Sequence, residues 1–406
     1  MNSVAPTKII CTLGPASSTE DAIKGLVEAG MVIARINLSH ASLESTSAIL
    51  QVLNRVRSEA KYAHLAIAVD TKGPEIRTGV FPREVSLCAG DRISITTDPK
   101  YAESSSRERI YIDHASVYAD LTEESTMIYI DDGRVGLRIL SVSQEEREIR
   151  AEVVTPGVVS SRKGVNIPGA HISLPSISEK EKALILLGAE QGADYVFASF
   201  TRSKADVDGL RSLVASSGSP VQIIAKIENV QGVSNLREIT EASDGVMVAR
   251  GDLGVEMDYA GIFPIQCRIS NVCRALGKPF VVATEVLDSM TSSKKPTRAE
   301  ITDLSFAVMS GAGGVMLSAE SAKGVDPVNT VQVMHRIIRK VSESPYALDG
   351  SVKSGGQEIV LCVSKSLRTV RGKHLLYGHW SLYADACSAE SVCIPDGYTV
   401  KEEITE

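Results

Sequence analysis

The sequence lacks the features that mark membrane, secreted and nucleic-acid-binding proteins. It contains no run of about 18 apolar residues, which argues against a membrane span. It begins MNSVAPTKII, without a basic region followed by an apolar stretch, so we expect no secretory signal. Acidic side chains outnumber basic ones by 50 to 43, and the net charge of −7 gives no general attraction for nucleic acid or an acidic membrane surface.

Cysteine is scarce and gives no sign of a disulfide framework. The seven cysteines are odd in number, scattered along the chain and free of CxxC pairs, so buried thiols in a reducing compartment are the simplest interpretation. Cys387 and Cys393 follow His374 and His379 without the spacing of a zinc finger. We therefore predict a cytoplasmic protein. Because the net charge is negative, a local cationic pocket would have to hold any anionic ligand.

Strand and helix patterns alternate in the first part of the chain. TKIICTLG predicts a short buried strand, and STEDAIKGLVEAG predicts a helix with Ser18 or Thr19 as its N-cap and Gly30 as its stop. MVIARINLS, SLESTSAILQVLNRVRSEA and HLAIAVDTKG continue as strand, helix and strand. Such continuous apolar runs are typical of a parallel sheet that is covered on both faces.

The pattern changes between about Thr78 and Lys163, where short alternating runs replace the amphipathic helices. RISITT, RIYID, TMIYID and REIRAEVVT predict an antiparallel, mostly β insertion. The alternation then returns, and about eight strands and eight helices result. This indicates an α/β fold, a (β/α)8 TIM barrel with a mostly β domain inserted after the third strand. The alternative is an open doubly wound sheet, which is less favoured because no GxGxxG turn follows the first strand.

The same patterns divide the chain into three regions. Residues 1–77 and 164–344 form the predicted barrel, and residues 78–163 form the inserted β domain. Residues 345–406 contain one candidate strand, QEIVLCVS, and no clear period after it. We interpret this region as a truncated or divergent C-terminal α/β remnant, because so short a segment is too small for a robust core of its own.

Ionisable residues follow several of the apolar strands, which is where barrel enzymes place their reacting groups. Lys226 and Glu228 lie two positions apart, so both side chains point to the same side of a strand. With Asp252 after a neighbouring strand, they supply two carboxylates and one ammonium. That set suits a divalent cation such as Mg²⁺ and an anionic substrate. The structural alternative is a salt-bridge cluster that fills the barrel.

A second polar group has a different charge balance. One carboxylate stands among neutral oxygen donors, which fits a monovalent cation better than a divalent one. A hydrogen-bonded polar layer would explain the same residues equally well. The group comprises Asn37, Ser39, Asp70 and Thr71. Arg35 and Arg77 flank it, and arginine is well suited to bidentate binding of phosphate or carboxylate.

Long motifs in this sequence resemble those of the pyruvate kinase family. They occur in the family order over about residues 6 to 344, and IIAKIEN followed by VMVARGDLGVE is close to diagnostic. Other matching motifs are TKIICTLGPAS, IARINLSHA, LAIAVDTKGPEIRTG, IYIDDG, KGVNIPG, LPSISEKEK, YVFASFTRSKADV, DSMTSSKKPTRAEITD and MLSAESAKG. The resemblance implies a glycolytic phosphotransferase that converts phosphoenolpyruvate and ADP to pyruvate and ATP. It also implies a mobile β lid and a C-terminal regulatory domain.

The resemblance further implies roles for individual residues. Glu228 and Asp252 correspond to the ligands of Mg²⁺ or Mn²⁺, and Lys226, Arg35 and Thr284 to the catalytic groups. The implied substrate pocket consists of Lys226, Ala249, Arg250, Gly251, Asp252 and Thr284. The implied nucleotide contacts are Arg77, Lys163, Asn37 and His40. The implied K⁺ ligands are Asn37, Ser39, Asp70 and Thr71. Glu75 is the residue associated with K⁺-dependent members of the family.

The chain departs from the family pattern in three places. Glu285 replaces the usual Gln after Thr284 and adds negative charge near an anionic substrate. Ala319 and Ser321 replace Gly and Thr in SAESAKG, and Ala319 adds a Cβ at a tight backbone position. The region 345–406 is shorter than the family's regulatory domain, so we expect a homo-oligomer with weakened contacts. The alternative function is therefore a catalytically weak paralogue or regulatory subunit that binds phosphoenolpyruvate and metal.

Overall fold

The computed structural model describes residues 7–39 and 41–344, which begin with alternating strands and helices. Thr19 is the N-cap of the first helix and accepts a hydrogen bond from the Ala22 N–H, in line with the prediction. Gly30 follows that helix with a φ of 127°, a conformation that favours glycine. The elements are β1 (Lys8–Thr12), α1 (Glu20–Ala29), β2 (Met31–Asn37), α2 (Leu43–Ser58) and β3 (Ala66–Asp70), with a 3₁₀ turn at Ala60–Tyr62.

After β3 the chain leaves the parallel layer and forms a β module, residues 76–166, that we call the lid. Its strands are short, and buried and partly exposed residues alternate along β8, as in a sheet with one covered face. The elements are β4 (Ile76–Arg77), β5 (Val85–Leu87), β6 (Arg92–Thr96), a 3₁₀ turn (Pro99–Tyr101), β7 (Arg109–Tyr111), α3 (Val117–Asp120), β8 (Met127–Ile130), β9 (Val135–Ser143), β10 (Glu148–Thr155), β11 (Gly157–Val159) and β12 (Gly164–Asn166). Seven strands form one sheet in the order β4-β12-β8-β9-β10-β6-β7, and β5 pairs with β11.

Alternation of helix and strand resumes after the lid. Capping boxes begin α4, α5 and α10, so polar side chains satisfy backbone N–H groups at these helix starts. The elements are α4 (Glu179–Glu190), β13 (Tyr195–Ala198), α5 (Lys204–Ala215), β14 (Gln222–Ile227), α6 (Val230–Ser234), α7 (Leu236–Ala242), β15 (Gly245–Ala249), α8 (Arg250–Glu256), α9 (Ile262–Ala275), β16 (Phe280–Ala283), α10 (Arg298–Met309), β17 (Gly314–Leu317), α11 (Ala319–Ala322) and α12 (Pro327–Ser342), with 3₁₀ turns at Tyr259–Gly261 and Asp288–Thr291.

Eight parallel strands close into a barrel in the order β1-β2-β3-β13-β14-β15-β16-β17, and β17 pairs with β1. Side chains reinforce this seam, because the Thr7 and Thr12 hydroxyls donate to the carbonyls of Ala312 and Leu317, each at 2.8 Å. The lid is inserted between β3 and β13, which are neighbours in the barrel. The predicted (β/α)8 barrel with an insertion after its third strand is therefore confirmed.

Three separate apolar clusters hold the described residues together. A large one lies between the barrel and its surrounding helices, and another lies wholly within the lid and its flanking segment. The third fills the barrel, which is consequently a packed core and not a pore. Its fully buried members are Ile10, Ile33, Ala66, Ala68, Tyr195, Phe197, Ile224, Met247, Val281, Ala283 and Met316.

The boundaries of the lid sheet follow from its pairing. Because β4 pairs with β12, the sheet runs from Ile76 to Asn166, slightly beyond residues 78–163. The division into domains at 1–77, 78–163, 164–344 and 345–406 stays a prediction. The C-terminal remnant and His40 lie outside the described residues. No helix within 7–39 and 41–344 has both the length and the hydropathy of a transmembrane span.

Candidate active site

Lys226 stands at the centre of a buried polar cluster at the carboxyl end of the barrel strands. It is the penultimate residue of β14, and only 7% of it is exposed. Its Nζ lies 3.0 Å from Glu228 Oε1, 3.1 Å from Asp70 Oδ1 and 2.7 Å from Ser199 Oγ. Lys226 and Glu228 thus point to the same side, as their spacing predicts. The cluster joins the ends of β3, β13 and β14.

Asp70 is shared between two cations. It ends β3 and is fully buried. Its Oδ2 accepts a hydrogen bond from Arg35 Nε at 2.7 Å, while its Oδ1 faces Lys226. Arg35 also donates from Nη1 to Thr12 Oγ1 at 2.9 Å, so its guanidinium is fixed from two sides. Asp70 thus holds two cationic side chains, Arg35 and Lys226, at the mouth of the barrel, and both are groups that can bind an anionic ligand.

Burial and charge act in opposition on the pKa values of this cluster. Burial alone would lower the pKa of Lys226, but the negative charges of Asp70 and Glu228 raise it above its ordinary value. Burial also opposes ionisation of Asp70, yet Arg35 and Lys226 hold the pKa of that carboxyl below its usual value. The pKa of Glu228 is raised to about 7, because burial and the charge of Asp252 outweigh the attraction of Lys226.

Asp252 reaches the cluster from α8. Asp252 follows a strand, as the sequence pattern indicates, since β15 ends at Ala249 and α8 begins at Arg250. Burial raises the pKa of Asp252 as well, and the charge of Asp252 in turn raises the pKa of Glu228. Two neighbouring carboxylates that resist ionisation are a pair that a bound cation would stabilise in the ionised form.

The chemistry of this donor set fits Mg²⁺ or Mn²⁺. In the part of the chain that the structure describes, no three His, Cys, Asp or Glu side chains converge as a metal site. Mg²⁺ needs no such cage, since it takes one or two carboxylates and completes its shell with water and substrate oxygens. Glu228 and Asp252 provide such a pair, with the Lys226 ammonium beside it.

The monovalent-cation group lies at the ends of β2 and β3. Asn37 and Asp70 are register partners, and Asn37 Oδ1 accepts a hydrogen bond from the Ser39 N–H at 3.0 Å. Thr71 follows Asp70, and its Oγ1 accepts from the Ser199 N–H at 2.9 Å. One carboxylate and several neutral oxygens therefore lie at the ends of neighbouring strands, and these are the donor types that suit a monovalent cation.

Backbone strain surrounds the site. Thr284 and Glu285, directly after β16, have φ values of 65° and 52°, and Phe200, just after β13, has a φ of 50°. Such left-handed non-glycine residues cost about 1 to 3 kcal/mol each and cluster at functional sites. Polar groups of these strained segments point towards the site. The Phe200 N–H donates to Glu228 Oε2 at 2.6 Å, and Thr284 Oγ1 accepts from the Gly251 N–H at 2.7 Å.

Arg250 fixes the beginning of α8. Its guanidinium donates to the Thr284 carbonyl at 2.8 Å and to the Glu285 carbonyl at 3.1 Å. Its Nη1 also lies 2.7 and 2.8 Å from the two carboxylate oxygens of Asp303 on α10. Arg250 therefore ties three elements together, and Ala249, the last residue of β15, is buried behind it.

At the base of the lid, Arg77 lies on β4 and Lys163 immediately precedes β12. Arg77 Nη2 lies 2.7 Å from Glu75 Oε2, and its Nη1 donates to the Arg162 carbonyl at 2.8 Å. Lys163 Nζ lies 2.9 Å from Asp131 Oδ1. Both side chains, two of the four predicted nucleotide contacts, are partly exposed cations that a carboxylate holds in place.

Sequence reasoning missed three polar residues of this region. Ser199 directly follows β13, so the strand-end rule, applied to every strand, would have found it. Asp303 lies on a helix and Glu256 at the end of α8, and neither position carries a local signal. Only the folded chain shows that Asp303 pairs with Arg250 and that Glu256 accepts a hydrogen bond from Asn166 of the lid.

The departures from the family pattern are accommodated by the backbone. Ala319 is the first residue of α11 and does not have a positive φ, so its Cβ meets no conformational barrier. The Ser321 hydroxyl donates to the Thr12 carbonyl at 2.9 Å. Glu285 presents its side chain to solvent beside Thr284. The fold and these strand-end groups define the class of the protein, a TIM-barrel enzyme with a mostly β lid.

Comparison with known proteins gives the family. The profile of "Pyruvate kinase, barrel domain" matches residues 4–331. Pyruvate kinase 1 of Trypanosoma brucei brucei is 40% identical over 89% of this chain and 72% of its own length. Pyruvate kinase of Hypocrea jecorina is 40% identical over 90% and 67%, and pyruvate kinase PKLR of Homo sapiens is 41% identical over 84% and 60%. The chain belongs to the pyruvate kinase family.

Proposed function

We propose that this protein transfers the phosphoryl group of phosphoenolpyruvate to ADP and so forms pyruvate and ATP. The observation that carries the proposal is the buried Lys226 ammonium between Asp70 and Glu228, with Arg35 beside it. A phosphoryl group in transfer spreads negative charge over its equatorial oxygens. Fixed cations in a buried site stabilise such charge more strongly than cations in water do, and Lys226 and Arg35 would act in this way.

Glu228 and Asp252 would hold Mg²⁺ or Mn²⁺. A divalent ion there supplies positive charge that neutralises oxygens of the substrate. Burial opposes ionisation of both carboxyls, so loading the site near neutral pH would release protons. Lys226 keeps a positive charge 3.0 Å from Glu228 in every case.

Asn37, Ser39, Asp70 and Thr71 would hold K⁺. Asp70 supplies the single negative charge, and the other three residues supply neutral oxygens. Arg35 and Lys226 already engage the two oxygens of Asp70, so the monovalent ion would share this carboxylate with both cationic side chains. Its positive charge would then add to theirs on the side of the mouth where the phosphoryl group is transferred.

Thr284 would complete the reaction by positioning the proton that converts the enolate to pyruvate. Its hydroxyl accepts from the Gly251 N–H and donates to the Ala283 carbonyl at 2.6 Å. A hydroxyl oriented by two partners can hold a water molecule against the methylene carbon. The substrate carboxylate would lie beside Ala249, Gly251 and Asp252, where α8 begins.

The lid would bind the nucleotide and exclude water. Arg77, Lys163, Asn37 and His40 would contact ADP. Arg77 and Lys163 are now paired with Glu75 and Asp131, and the ADP phosphates would replace these carboxylates as partners. Closure of the lid would keep water from accepting the phosphoryl group in place of ADP.

The proposed function is tested by a coupled assay of pyruvate formation, with K⁺ and Mg²⁺ supplied together and singly. We expect turnover only with both cations. Lys226→Met should lower kcat by about 10²- to 10³-fold, because it removes a cation that stabilises the transferring phosphoryl group. Lys204→Met is the control, since Lys204 pairs with Asp208 on the surface of α5. Unchanged turnover in Lys226→Met would refute the proposed role.

Glu285 is the one observation that favours a second function. Its exposed carboxylate adds negative charge beside Thr284. This charge would suit a regulatory protein that binds phosphoenolpyruvate and metal but does not turn the substrate over. Calorimetric binding of phosphoenolpyruvate by a folded protein that forms no pyruvate would support it, and recovery of turnover in Glu285→Gln would assign the loss to this residue.

A further inference from the structure

One hydrogen bond and one close approach of the backbone join the lid to α8, the helix that carries Asp252. Asn166, on β12, donates its side-chain amide to Glu256 Oε1 at 2.8 Å. In the lid turn after β8, a Cβ on Gly133 would lie 3.8 Å from the methyl carbons of Val255. Among residues 7–39 and 41–344 Glu256 has no ion pair, so the amide of Asn166 is the polar group that engages its carboxylate.

The lid side of this contact is a rigid unit. The Asp131 N–H donates to the Gly164 carbonyl at 3.0 Å, and the Asp131 carboxylate holds Lys163 Nζ at 2.9 Å. Asn166 is also paired in register with Tyr129 of β8. The turn after β8 and strand β12 therefore move together, and Asn166 lies three positions from Lys163.

The barrel side is equally well fixed. Asp252 and Glu256 are four positions apart on α8, so they lie on the same face of the helix. Arg250 holds the first turn of this helix through the Thr284 carbonyl and the Asp303 carboxylate. One hydrogen bond thus spans the gap between the lid and the helix that completes the cation site.

We propose that the Asn166–Glu256 hydrogen bond is a positioning contact that sets the closed lid, and with it Lys163, relative to α8 and Asp252. The inference rests on the proposed function, because its kinetic consequence requires a nucleotide under the lid. Neither residue touches the reacting groups. Loss of a hydrogen bond to a carboxylate shifts an equilibrium by about tenfold or more, so the closed lid would become correspondingly rarer.

The kinetic test compares Asn166→Ala, Glu256→Ala and the double variant. We expect each single variant to lower kcat/KM for ADP about tenfold, and the double variant to match the singles, because both changes remove the same contact. Glu256→Gln keeps an acceptor oxygen for the Asn166 amide and should stay close to the wild type. Additive losses, or a Gln variant as impaired as the Ala variant, would overturn the proposal.

A matched control separates this contact from a general weakening of the lid. The Thr96 hydroxyl donates to the Arg147 carbonyl at 2.9 Å within the lid, on β6, four strands away from β12 in the sheet. Thr96→Val removes that hydrogen bond and the one that the Thr96 hydroxyl accepts from the Asp98 N–H, with little change in shape. We expect it to leave kcat/KM for ADP unchanged, and an equal loss in this variant would overturn the proposal.

A measurement without turnover tests the contact itself. Amide hydrogen exchange over residues 250–256, followed by mass spectrometry on the metal-free protein, should be faster in Asn166→Ala than in the wild type and unchanged in Thr96→Val. Equal exchange in all three proteins would overturn the contact. Absence of turnover in the wild type would contradict the proposed function instead, and would leave the exchange result to decide the contact.

Discussion

Ser199 joins the charged residues of the site through a single hydroxyl group. Its Oγ accepts a hydrogen bond from Lys226 Nζ at 2.7 Å, and its proton can be donated to the Thr71 carbonyl at 2.6 Å or to Asp70 Oδ1 at 3.1 Å. Lys226 has a long, flexible stem, so the partners around Nζ determine where its charge lies. Ser199 is therefore a positioning residue for the ammonium.

Replacing Ser199 by Ala should lower kcat about tenfold, since Lys226 keeps its charge but loses one of three partners. KM for phosphoenolpyruvate should change less than kcat, because Lys226 keeps its charge and the other proposed pocket residues do not contact Ser199. The coupled assay measures both parameters. Ser212→Ala is the matched control, as the Ser212 hydroxyl donates only to the Asp208 carbonyl on the exposed side of α5. Equal kcat in the two variants would contradict this role.

The Glu228 carboxyl should make stability depend on pH in the metal-free protein. Its pKa is raised in the folded state, from an ordinary value of 4.5 to about 7. The stability linked to the protonated form is thus present below pH 4.5 and lost as pH rises through about 7. The Gln side chain of Glu228→Gln cannot ionise. The melting temperature of this variant relative to the wild type should therefore increase as the pH rises from 5 to 8 in the presence of EDTA. A constant difference across that range would show that Glu228 does not titrate there.

Much of the charged site can be predicted at the residue scale, and its neutral members cannot. An ionised side chain after an apolar strand is costly without a function, so Lys226, Glu228 and Asp70 stand out in the sequence. Burying a serine at the same place costs little free energy, and serines at strand ends commonly serve only as caps or packing residues. Ser199 therefore acquires its meaning only from the 2.7 Å distance to Lys226.

At the scale of elements, α8 connects the cation site to its surroundings. Arg250 binds the carbonyls of Thr284 and Glu285 after β16 and the carboxylate of Asp303 on α10. These bonds hold the first turn of α8, and Asp252 is the third residue of that helix. Any loosening of the helix start should therefore change the geometry of the carboxylate pair.

Asp303→Ala should weaken binding of the divalent cation severalfold and cost about 1 kcal/mol of stability, because the ion pair with Arg250 is partly exposed. Mn²⁺ titration followed by electron paramagnetic resonance measures the affinity, and thermal unfolding measures the stability. Asp208→Ala, which breaks a surface pair with Lys204, serves as the control. Wild-type Mn²⁺ affinity in Asp303→Ala would show that α8 is fixed by other contacts.

Element boundaries show where local pattern is overruled by distant contacts. The segment VSNLREITEAS contains a helix break, since α6 ends at Ser234 and α7 begins at Leu236. The break is at Asn235, whose side-chain amide donates to the Arg202 carbonyl at 2.8 Å. The partner lies 33 positions away in the sequence, so no local pattern could reveal it.

On the scale of the whole molecule, the barrel was predictable because its strands are buried on both faces and read as continuous apolar runs. The pairing of β17 with β1 follows once eight strands are counted. The register between neighbouring strands could not be predicted in this way, because it depends on side-chain packing across strands that are distant in sequence. The exact meeting of Lys226, Asp70 and Ser199 could not be predicted for that reason.

The lid should be separable from the barrel. Its apolar cluster shares no member with the other two clusters, and Arg77 and Gly164 are register partners where the lid begins and ends. A chain in which a Gly-Gly turn replaces residues 78–163 should therefore keep a folded barrel but lose turnover. Far-UV circular dichroism and thermal unfolding test the fold, and the coupled assay tests the loss. An unfolded product would show that the barrel needs the lid.

The left-handed backbone of Phe200, Thr284 and Glu285 should influence which substitutions a selection for thermal stability would favour. Each has a backbone conformation that glycine would adopt without strain. Selection for heat tolerance alone would reward glycine at these three positions, and the survivors would have lost the Thr284 hydroxyl and the fixed backbone around it. Thermal resistance and turnover are consequently in conflict at the ends of β13 and β16. A screen that alternates heat challenge with an activity requirement would direct its gains elsewhere, to the outer helices.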